Sequence, residues 1–198
     1  MGITQKKILF FPFIILSIVH LTACAQVLTG AAVKVATVSQ EERSIGEYVD
    51  DAIIKTVIKN SYFDQSEKLF FNIDVEVSQA RVLLTGTVEN IDLKIEATRI
   101  AWGVDGVQTV INEIQISNSD SILNFADDLV ISTKVLGKLV LEEQINSLNY
   151  NIETVNKVVY IIGIASTERE RNLVISLARD VFGVEEVIDY INIKTSEL

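Results

Sequence analysis

The chain has 198 residues, 48% of them hydrophobic, and its 27 acidic residues outnumber its 17 basic residues to give a formal net charge of −10. The high hydrophobic content, with one proline and nine glycines, excludes a disordered or collagen-like chain, and the length suits one or two domains. The acidic balance argues against general nucleic-acid binding, and a single cysteine cannot build a disulfide framework or a thiolate metal cage.

Residues 1–23 have the pattern of an export signal. Two lysines precede a mostly apolar run that is shorter than the roughly 20 residues a membrane-spanning helix needs. The run ends in Leu21-Thr22-Ala23-Cys24, which resembles the bacterial lipobox, in which the cysteine becomes the acylated first residue. We therefore predict cleavage before Cys24 and lipidation of this cysteine. The alternative is an uncleaved membrane anchor with an incidental cysteine.

Cleavage there would remove the only histidine together with two lysines and no acidic residue, so the net charge would fall by two further units. Without histidine, histidine-assisted nucleophilic catalysis and a zinc site with histidine or cysteine ligands are both excluded. We expect no metal and no cofactor. An active site built on carboxylates or lysine stays open, so an enzyme is disfavoured and a carboxylate-dependent hydrolase is the weakest hypothesis.

Residues 24–46 follow as a predicted flexible tether, because they show no sustained helical or strand period. Ala25 occupies the position where, by resemblance to lipoprotein sorting in bacteria with two membranes, aspartate would favour retention in the inner membrane. The sequence thus favours the outer membrane, with the protein facing the periplasm. Two or more acyl chains on the cysteine would anchor it stably.

The rest of the chain repeats itself at an offset of 77 residues. The clearest matches are Gly86 with Gly163, Ala101 with Ala178, Gly106-Val107 with Gly183-Val184, Val110 with Val187, and Ile114 with Ile191. Each repeat shows the hydrophobic pattern of helix, strand, strand, helix and strand. We predict an α+β fold of two small units with helices on one face of a mixed sheet, at 47–117 and 127–195, joined by a linker at 118–126.

The predicted elements alternate between helical and strand periods in chain order. In the first repeat they span residues 52–59, 73–77, 82–88, 93–102 and 107–116, and in the second 129–141, 152–155, 158–164, 169–182 and 184–193. Gly86 and Gly163 lie late in a strand, which is typical of a bulge or a close backbone approach. Gly106 and Gly183 follow a helix and suit the left-handed position that ends it.

Pairs of aspartates, Asp50-Asp51 and Asp127-Asp128, precede the first predicted helix of each repeat. Carboxylates at a helix start accept hydrogen bonds from free N–H groups and oppose the positive end of the helix dipole. We therefore interpret both pairs as helix caps, in preference to paired catalytic acids or metal ligands.

The repeats resemble the BON domain, a module of bacterial envelope proteins. The resemblance rests on Val82-Leu-Leu-Thr-Gly86, Ile100-Ala101 with Gly106-Val107, and Val110-Ile-Asn112-Glu-Ile114, and in the second half on Val159-Tyr-Ile-Ile-Gly163, Leu177-Ala178, Gly183-Val184 and Val187-Ile-Asp189-Tyr-Ile191. The whole chain is similar to the dual BON-domain outer-membrane lipoproteins, the division and outer membrane stress-associated lipid-binding family. This resemblance implies binding of anionic phospholipid through the second domain, support of outer-membrane integrity and association with the division site.

The first helix of the second repeat is apolar nearly all round, which is typical of a helix that is either buried or in contact with a membrane. Ile131, Val135 and Leu139 share one face and are predicted to pack on the sheet. The predicted lipid-binding residues are Leu129, Val130, Lys134, Leu136, Lys138 and Val140. Lysines beside apolar side chains suit an anionic headgroup interface. The alternative is that this helix packs between the two repeats.

Trp102 is the only tryptophan, and Arg179 occupies its position in the second repeat. The shared fold therefore does not require an aromatic residue there, and we predict an inter-domain contact for Trp102, with a surface contact as the alternative. The leading functional hypothesis is a non-enzymatic lipid-anchored protein that binds anionic phospholipid. The runner-up is an adaptor for envelope-assembly or division proteins that uses the same helix.

Overall fold

The computed structural model describes residues 45–117, the first repeat, and 122–194, the second repeat, which together form five α-helices and seven strands. All of these residues fall within one compact unit that spans Glu41–Leu198. The predicted signal peptide, Cys24 and nearly all of the predicted tether lie outside the described residues.

The first repeat begins with a long helix. Its elements are α1 (Ile45–Gln65), α2 (Glu67–Asn72), β1 (Ile73–Ser78), β2 (Arg81–Val88), α3 (Ile91–Trp102), β3 (Thr109–Asn112) and β4 (Gln115–Ile116). Strands β1 and β2 form an antiparallel hairpin, and β3 and β4 each pair with β2 in parallel. The predicted order is confirmed, with two differences: α2 is an additional short helix, and the predicted final strand is divided into β3 and β4.

The second repeat follows the same order. Its elements are α4 (Ile122–Leu141), β5 (Tyr150–Val155), β6 (Val158–Ala165), α5 (Glu168–Arg179) and β7 (Glu186–Ile193). Strands β5 and β6 pair in antiparallel and β6 and β7 in parallel, so both sheets are mixed and the predicted α+β fold is confirmed. Thr167 caps α5, because its side chain accepts a hydrogen bond of 3.2 Å from the N–H of Glu170.

Each repeat covers one face of its sheet with its own helices, as the sequence predicted. The buried residues in the first repeat include Ile58, Tyr62, Val75, Val82, Leu84 and Ala97. Those in the second repeat include Ile131, Val135, Leu139, Val159, Ile161 and Val174. Alternate residues of β2 and β6 point into these two cores, as expected from the period of two along a strand.

The opposite faces of the two sheets pack against each other. Leu83 of β2 joins Val155, Tyr160 and Ile162 of the second repeat in a third buried cluster. Hydrogen bonds around this cluster join Arg81 to the carbonyls of Gly163 and Tyr190, Asn151 to the carbonyl of Val77, Asn192 to Gln79, and Asn156 to Gln115. The layers therefore run helix, sheet, sheet, helix. The alternative that α4 packs between the repeats is wrong, because the sheets occupy that place.

Gly86 and Gly163 lie where the backbone passes very close to a neighbouring carbonyl. A Cβ atom at Gly86 would lie 2.1 Å from the carbonyl oxygen of Asn72, and one at Gly163 would lie 2.3 Å from that of Asn149. Both contacts are far shorter than a carbon and an oxygen can tolerate. The predicted close backbone approach is therefore confirmed at both positions.

The interpretation of the aspartate pairs as helix caps is wrong. Helix α1 begins at Ile45 and α4 at Ile122, so the aspartates lie inside these helices. The buried carboxylate of Asp51 accepts hydrogen bonds of 2.8–2.9 Å from the N–H groups of the turn between β1 and β2, and that of Asp128 accepts two of 2.7–2.8 Å from the turn between β5 and β6. Each aspartate therefore holds a hairpin turn against the first helix of its repeat.

Replacement of Asp128 by asparagine is expected to lower the free energy of unfolding by about 1–2 kcal/mol. An amide accepts through only one oxygen, so one of the two part-buried N–H groups, at Asn156 or Lys157, would lose its partner. The exposed neighbour Asp127 provides the control, as Asp127→Asn changes the same charge. Chemical denaturation of both variants measures the difference, and equal stabilities would contradict the role assigned to Asp128.

Candidate functional site

The inward face of α4 packs into the hydrophobic core of the second repeat. Ile131, Val135 and Leu139 are buried against the sheet of the second repeat, as predicted. They recur at intervals of four residues, which places them on one side of the helix. The contacts between α4 and the sheet are therefore made by this side of the helix.

The outward face of α4 is apolar and open to solvent. Six large apolar side chains along it are between 46% and 84% exposed: Phe125, Leu129, Val130, Leu136, Val140 and Leu141. The four apolar residues predicted to bind lipid are all in this set, which we call the α4 outer face. An exposed apolar surface of this extent is typical of a site that contacts a membrane or another protein.

Two lysines lie at one edge of the α4 outer face. Lys134 is exposed, whereas Lys138 is half-buried and forms an ion pair with Asp180 just after α5. The Lys138 Nζ also donates to the backbone oxygen of Asp180, at 3.3 Å. The hydrogen bond from Lys138 lowers the pKa of Asp180. Lys138 is therefore already neutralised by Asp180, whereas Lys134 is open to solvent.

The structure corrects the prediction of an inter-domain contact for Trp102. This residue ends α3, on the helix-covered face of the first sheet, and its side chain is 52% exposed. The second repeat packs against the other face of that sheet, through the cluster around Leu83. Trp102 is thus a surface side chain on the side away from the inter-repeat contact.

Phe125 belongs to the α4 outer face but was absent from the predicted site. It lies one helical turn before Leu129, at the spacing that places two residues on the same side of a helix. The assumption that Asp127-Asp128 caps the helix made the predicted segment begin too late to include it. The apolar residues Ile122, Leu123 and Phe125 upstream of the aspartates were the signal that the helix begins earlier.

Ionisable side chains from both repeats meet at the edge of the sheet contact. Glu153 of β5 forms a side-chain hydrogen bond with Glu76 of β1, and Asp74 lies nearby on the same strand. Lys55 reaches Glu76 from α1, with 2.7 Å between Nζ and Oε1. Burial, followed by the charges of Asp74 and Glu76, raises the pKa of Glu153 to about 8. Glu153 is therefore mainly protonated at neutral pH and can donate a hydrogen bond across the contact.

A shallow groove lies between α1 and α3 in the first repeat, with a volume of about 630 Å³. Its apolar lining includes Ile53, Val57, Ile100 and Val104. Its charged lining consists of Asp64, Asp105 and Arg99, and Arg99 is paired with Glu96. Two carboxylates beside an apolar groove are unfavourable for an anionic membrane and compatible with a protein segment. Helix α1 also exposes apolar side chains to solvent: Tyr48, Val49, Ile53, Val57 and Phe63.

Metal-binding clusters and membrane-spanning helices are both absent from residues 45–117 and 122–194. No group of three or more histidine, cysteine, aspartate or glutamate side chains in these ranges is arranged to hold a metal ion. No helix within the same residues is long and apolar enough to cross a membrane.

Comparison with known proteins gives a match to one family and several relatives. The profile of the BON domain matches residues 50–118 and again residues 127–195. An uncharacterised protein encoded in the gshII 5′ region of Anaplasma centrale is 40% identical over 151 residues, which cover 76% of this chain and 99% of the relative.

Two further relatives have descriptive names. The outer membrane lipoprotein DolP of Haemophilus influenzae is 27% identical over 171 residues, covering 86% of this chain and 88% of that protein. The osmotically-inducible protein Y of Escherichia coli is 26% identical over 152 residues, covering 76% of each chain. Each alignment is more than twice as long as one BON match, so it reaches into both repeats.

Proposed function

The chain belongs to the BON domain family, and from this premise we propose that it is a lipid-anchored, periplasm-facing envelope protein whose second BON domain binds anionic phospholipid through the α4 outer face. It acts without catalysis, in keeping with relatives whose names describe envelope or osmotically induced proteins. The proposal extends to support of outer-membrane integrity, including at the division site, as the resemblance of the sequence to the lipid-binding lipoprotein family implies. The similarity to a protein named as an outer membrane lipoprotein supports the membrane in question.

The proposed anchor is the lipidated Cys24, placed in the outer membrane. The lipobox-like residues before it, Ala25 after it and the name of the Haemophilus influenzae relative support this location. In this proposal residues 1–23 are removed and residues 24–46 connect the anchor to a first domain at 47–117. The second domain takes in residues 127–195 together with the start of α4, which begins at Ile122, inside the linker predicted at 118–126.

The exposure of the α4 outer face is the observation that carries the proposal. Its apolar side chains have no role in the core, and further burial of about half of each would contribute on the order of 5 kcal/mol in total. Binding of that strength corresponds to a dissociation constant of roughly 0.1–1 mM. This affinity is weak for a free protein but sufficient for one that Cys24 already holds at the membrane surface, where the effective concentration is high.

Replacement of Val130 by glutamate is expected to weaken vesicle binding about tenfold, because a carboxylate in the outer face must be desolvated against anionic headgroups. The measurement is flotation of the mature chain carrying Cys24→Ser with zwitterionic and anionic vesicles at two salt concentrations. Ile53 is the matched control, since it lies 77 residues earlier, in α1, and is 55% exposed. Ile53→Glu is expected to float like the parent chain.

Binding to anionic vesicles only, weakened by salt and by Val130→Glu but not by Ile53→Glu, would support the proposal. Equal flotation of the two variants would exclude α4 as the lipid-binding helix. Absence of flotation with a folded protein would leave Cys24 as the membrane attachment and remove the phospholipid-binding function.

An adaptor for envelope-assembly or division proteins is the second candidate function. The groove between α1 and α3 favours the adaptor function, because Asp64 and Asp105 in its lining make it poorly suited to anionic lipid. The α4 outer face could serve the same function by docking a protein. A specific complex that survives detergent and is lost on replacement of Leu129 or Leu136 by glutamate would favour the adaptor over the lipid-binding protein.

A further inference from the structure

Phe182 is the most exposed large apolar side chain of the described residues, with 93% of its surface open to solvent. It lies in the loop between α5 and β7. A phenylalanine side chain has no polar atom, so its exposure to water is unfavourable and offers no hydrogen bond in return. Single exposed apolar residues are common on proteins. The position of this loop and the charges around it decide whether Phe182 has a partner.

The loop that carries Phe182 is fixed against α4. Its neighbour Val181 is buried in the core of the second domain with Ile131 of α4. Gly183 has a φ of +101°, and a Cβ atom there would lie 3.3 Å from Cδ1 of Ile131. Lys138, two turns further along α4, donates to the backbone oxygen of Asp180 at the start of the loop. The residues on both sides of Phe182 are therefore packed against α4, and the ring itself lies outside the core.

The first domain shows that the fold does not require an aromatic residue in this loop. Its equivalent loop has Asp105 at the position of Phe182, and Gly106 there has a φ of +90° and a close contact to Ile54. The two loops thus have the same glycine and the same packing on the first helix of their domain. The phenylalanine in this loop is therefore an addition that belongs to the second domain alone.

Three cations lie on the elements next to the Phe182 loop: Arg179 ends α5, Lys138 of α4 is paired with Asp180 of the loop, and Lys134 is one turn before Lys138. Arg179 and Lys134 are exposed. The acidic residues of the loop, Asp180 and Glu185, are paired with Lys138 and Lys157, and Glu186 at the start of β7 is exposed. A fully apolar ring next to exposed cations fits an anionic lipid surface, where the ring enters the acyl boundary while the cations stay among the headgroups. The equivalent loop of the first domain has the acidic Asp105 in place of the ring, and its nearest exposed aromatic residue, Trp102, ends the helix before the loop. The charge pattern therefore favours a bilayer over a basic or neutral protein surface.

We propose that Phe182 is an aromatic anchor that inserts into the bilayer beside the α4 outer face, so that the lipid-binding site consists of one helix and one loop. This inference rests on the proposed function, because it assigns a second element to the same site. Insertion of the loop together with the helix fixes the rotation of the domain about α4, which a single helix would leave free.

Phe182→Ala is expected to weaken binding to anionic vesicles about fivefold, with unchanged stability because the ring makes no core contact. Phe71 of α2 is the matched control, since it is also a phenylalanine and is 73% exposed, but lies in the first domain. Phe71→Ala is expected to bind like the parent chain. Flotation of the mature chain with Cys24→Ser provides the measurement for both variants.

Insertion itself is tested by Phe182→Trp combined with Trp102→Phe, which makes residue 182 the only tryptophan. Its fluorescence is expected to shift to shorter wavelength on anionic vesicles and to be quenched by brominated acyl chains. Trp102 of the parent chain, in the first domain, is expected to show neither change. Lack of quenching at position 182, or equal binding of Phe182→Ala and the parent chain, would overturn the inference.

The two proposals fail in different ways. Loss of binding in Val130→Glu with normal binding in Phe182→Ala would remove the anchor and retain the lipid-binding helix. Failure of the parent chain to bind vesicles would remove both. Protection of the tryptophan introduced at position 182 by a captured protein, with no quenching by brominated lipid, would assign the loop to a protein partner and so contradict the proposed anchor.

Discussion

The free energy of unfolding is expected to fall by about 2 kcal/mol between pH 5 and pH 9 through Glu153 alone. Burial and the carboxylates of Asp74 and Glu76 raise the pKa of Glu153 from an ordinary value of 4.5 to about 8. Between pH 4.5 and pH 8 the folded chain therefore binds one proton more than the unfolded chain does. Its stabilising effect is complete below about pH 4.5 and is lost as the pH rises through 8. The whole shift in pKa would correspond to a change of roughly 5 kcal/mol in the free energy of unfolding. We expect the smaller change of about 2 kcal/mol because Glu153 is partly solvated.

Comparison with Glu153→Gln isolates this effect from the other carboxylates. Glutamine keeps the shape and can still donate to Glu76, but it does not ionise. The variant is expected to equal the parent chain at pH 5 and to exceed its stability at pH 9 by about 2 kcal/mol. Glu143→Gln, at an exposed position after α4, provides the control and should follow the parent at both values. Chemical denaturation curves for Glu153→Gln that run parallel to those of the parent chain would contradict the assigned pKa.

Gly163→Ala is expected to destabilise the second domain by about 3 kcal/mol or more, at the upper end of the cost of overpacking. The new methyl group would lie 2.3 Å from the carbonyl oxygen of Asn149 and 2.9 Å from the ring of Tyr150. The first of these atoms belongs to the backbone at the start of β5, so β5 must move away from β6 to relieve the clash. A single side-chain rotation cannot relieve it.

Gly137→Ala is the matched control for this prediction. Gly137 lies within α4, where an added methyl group would have no atom within 4 Å, and alanine favours a helix over glycine by about 1 kcal/mol. The same substitution is therefore expected to stabilise at residue 137 and to destabilise strongly at residue 163. Thermal unfolding of both variants measures the two effects, and a stable Gly163→Ala variant would show that the strands separate more easily than the structure implies.

The sequence predicted the repeated element order and the two faces of α4, because both depend on local periodicity. Ile131, Val135 and Leu139 recur at helical spacing, and Gly163 marks its close contact by interrupting an apolar strand. A chain that repeats an arrangement twice supplies its own comparison, which strengthens each local prediction. These features could be predicted without knowing which parts of the chain they contact in the folded structure.

Features that depend on distant partners were missed. The role of Asp128 depends on a turn 28 residues later, and a carboxylate beside a helix pattern looks the same whether it caps the helix or holds that turn. The sheet contact was also missed, although a signal was present. Strand β6 is apolar on both faces from Val158 to Ala165, as is typical of a strand covered on both sides. The inter-domain contact predicted for Trp102 was wrong because the sequence does not show which face of the first sheet the second repeat covers.

Back-to-back packing of the two sheets gives the molecule two outer surfaces that point in opposite directions. With α4 and Phe182 on a bilayer, α1 and α3 face away from it across two sheets, at a height of roughly 30 Å. The second domain would then be proximal to the membrane and the first domain distal to it. The groove of the first domain, with its two aspartates, would open toward the aqueous compartment. In the proposed arrangement, one side of the chain contacts the membrane while the opposite side stays accessible to a second molecule.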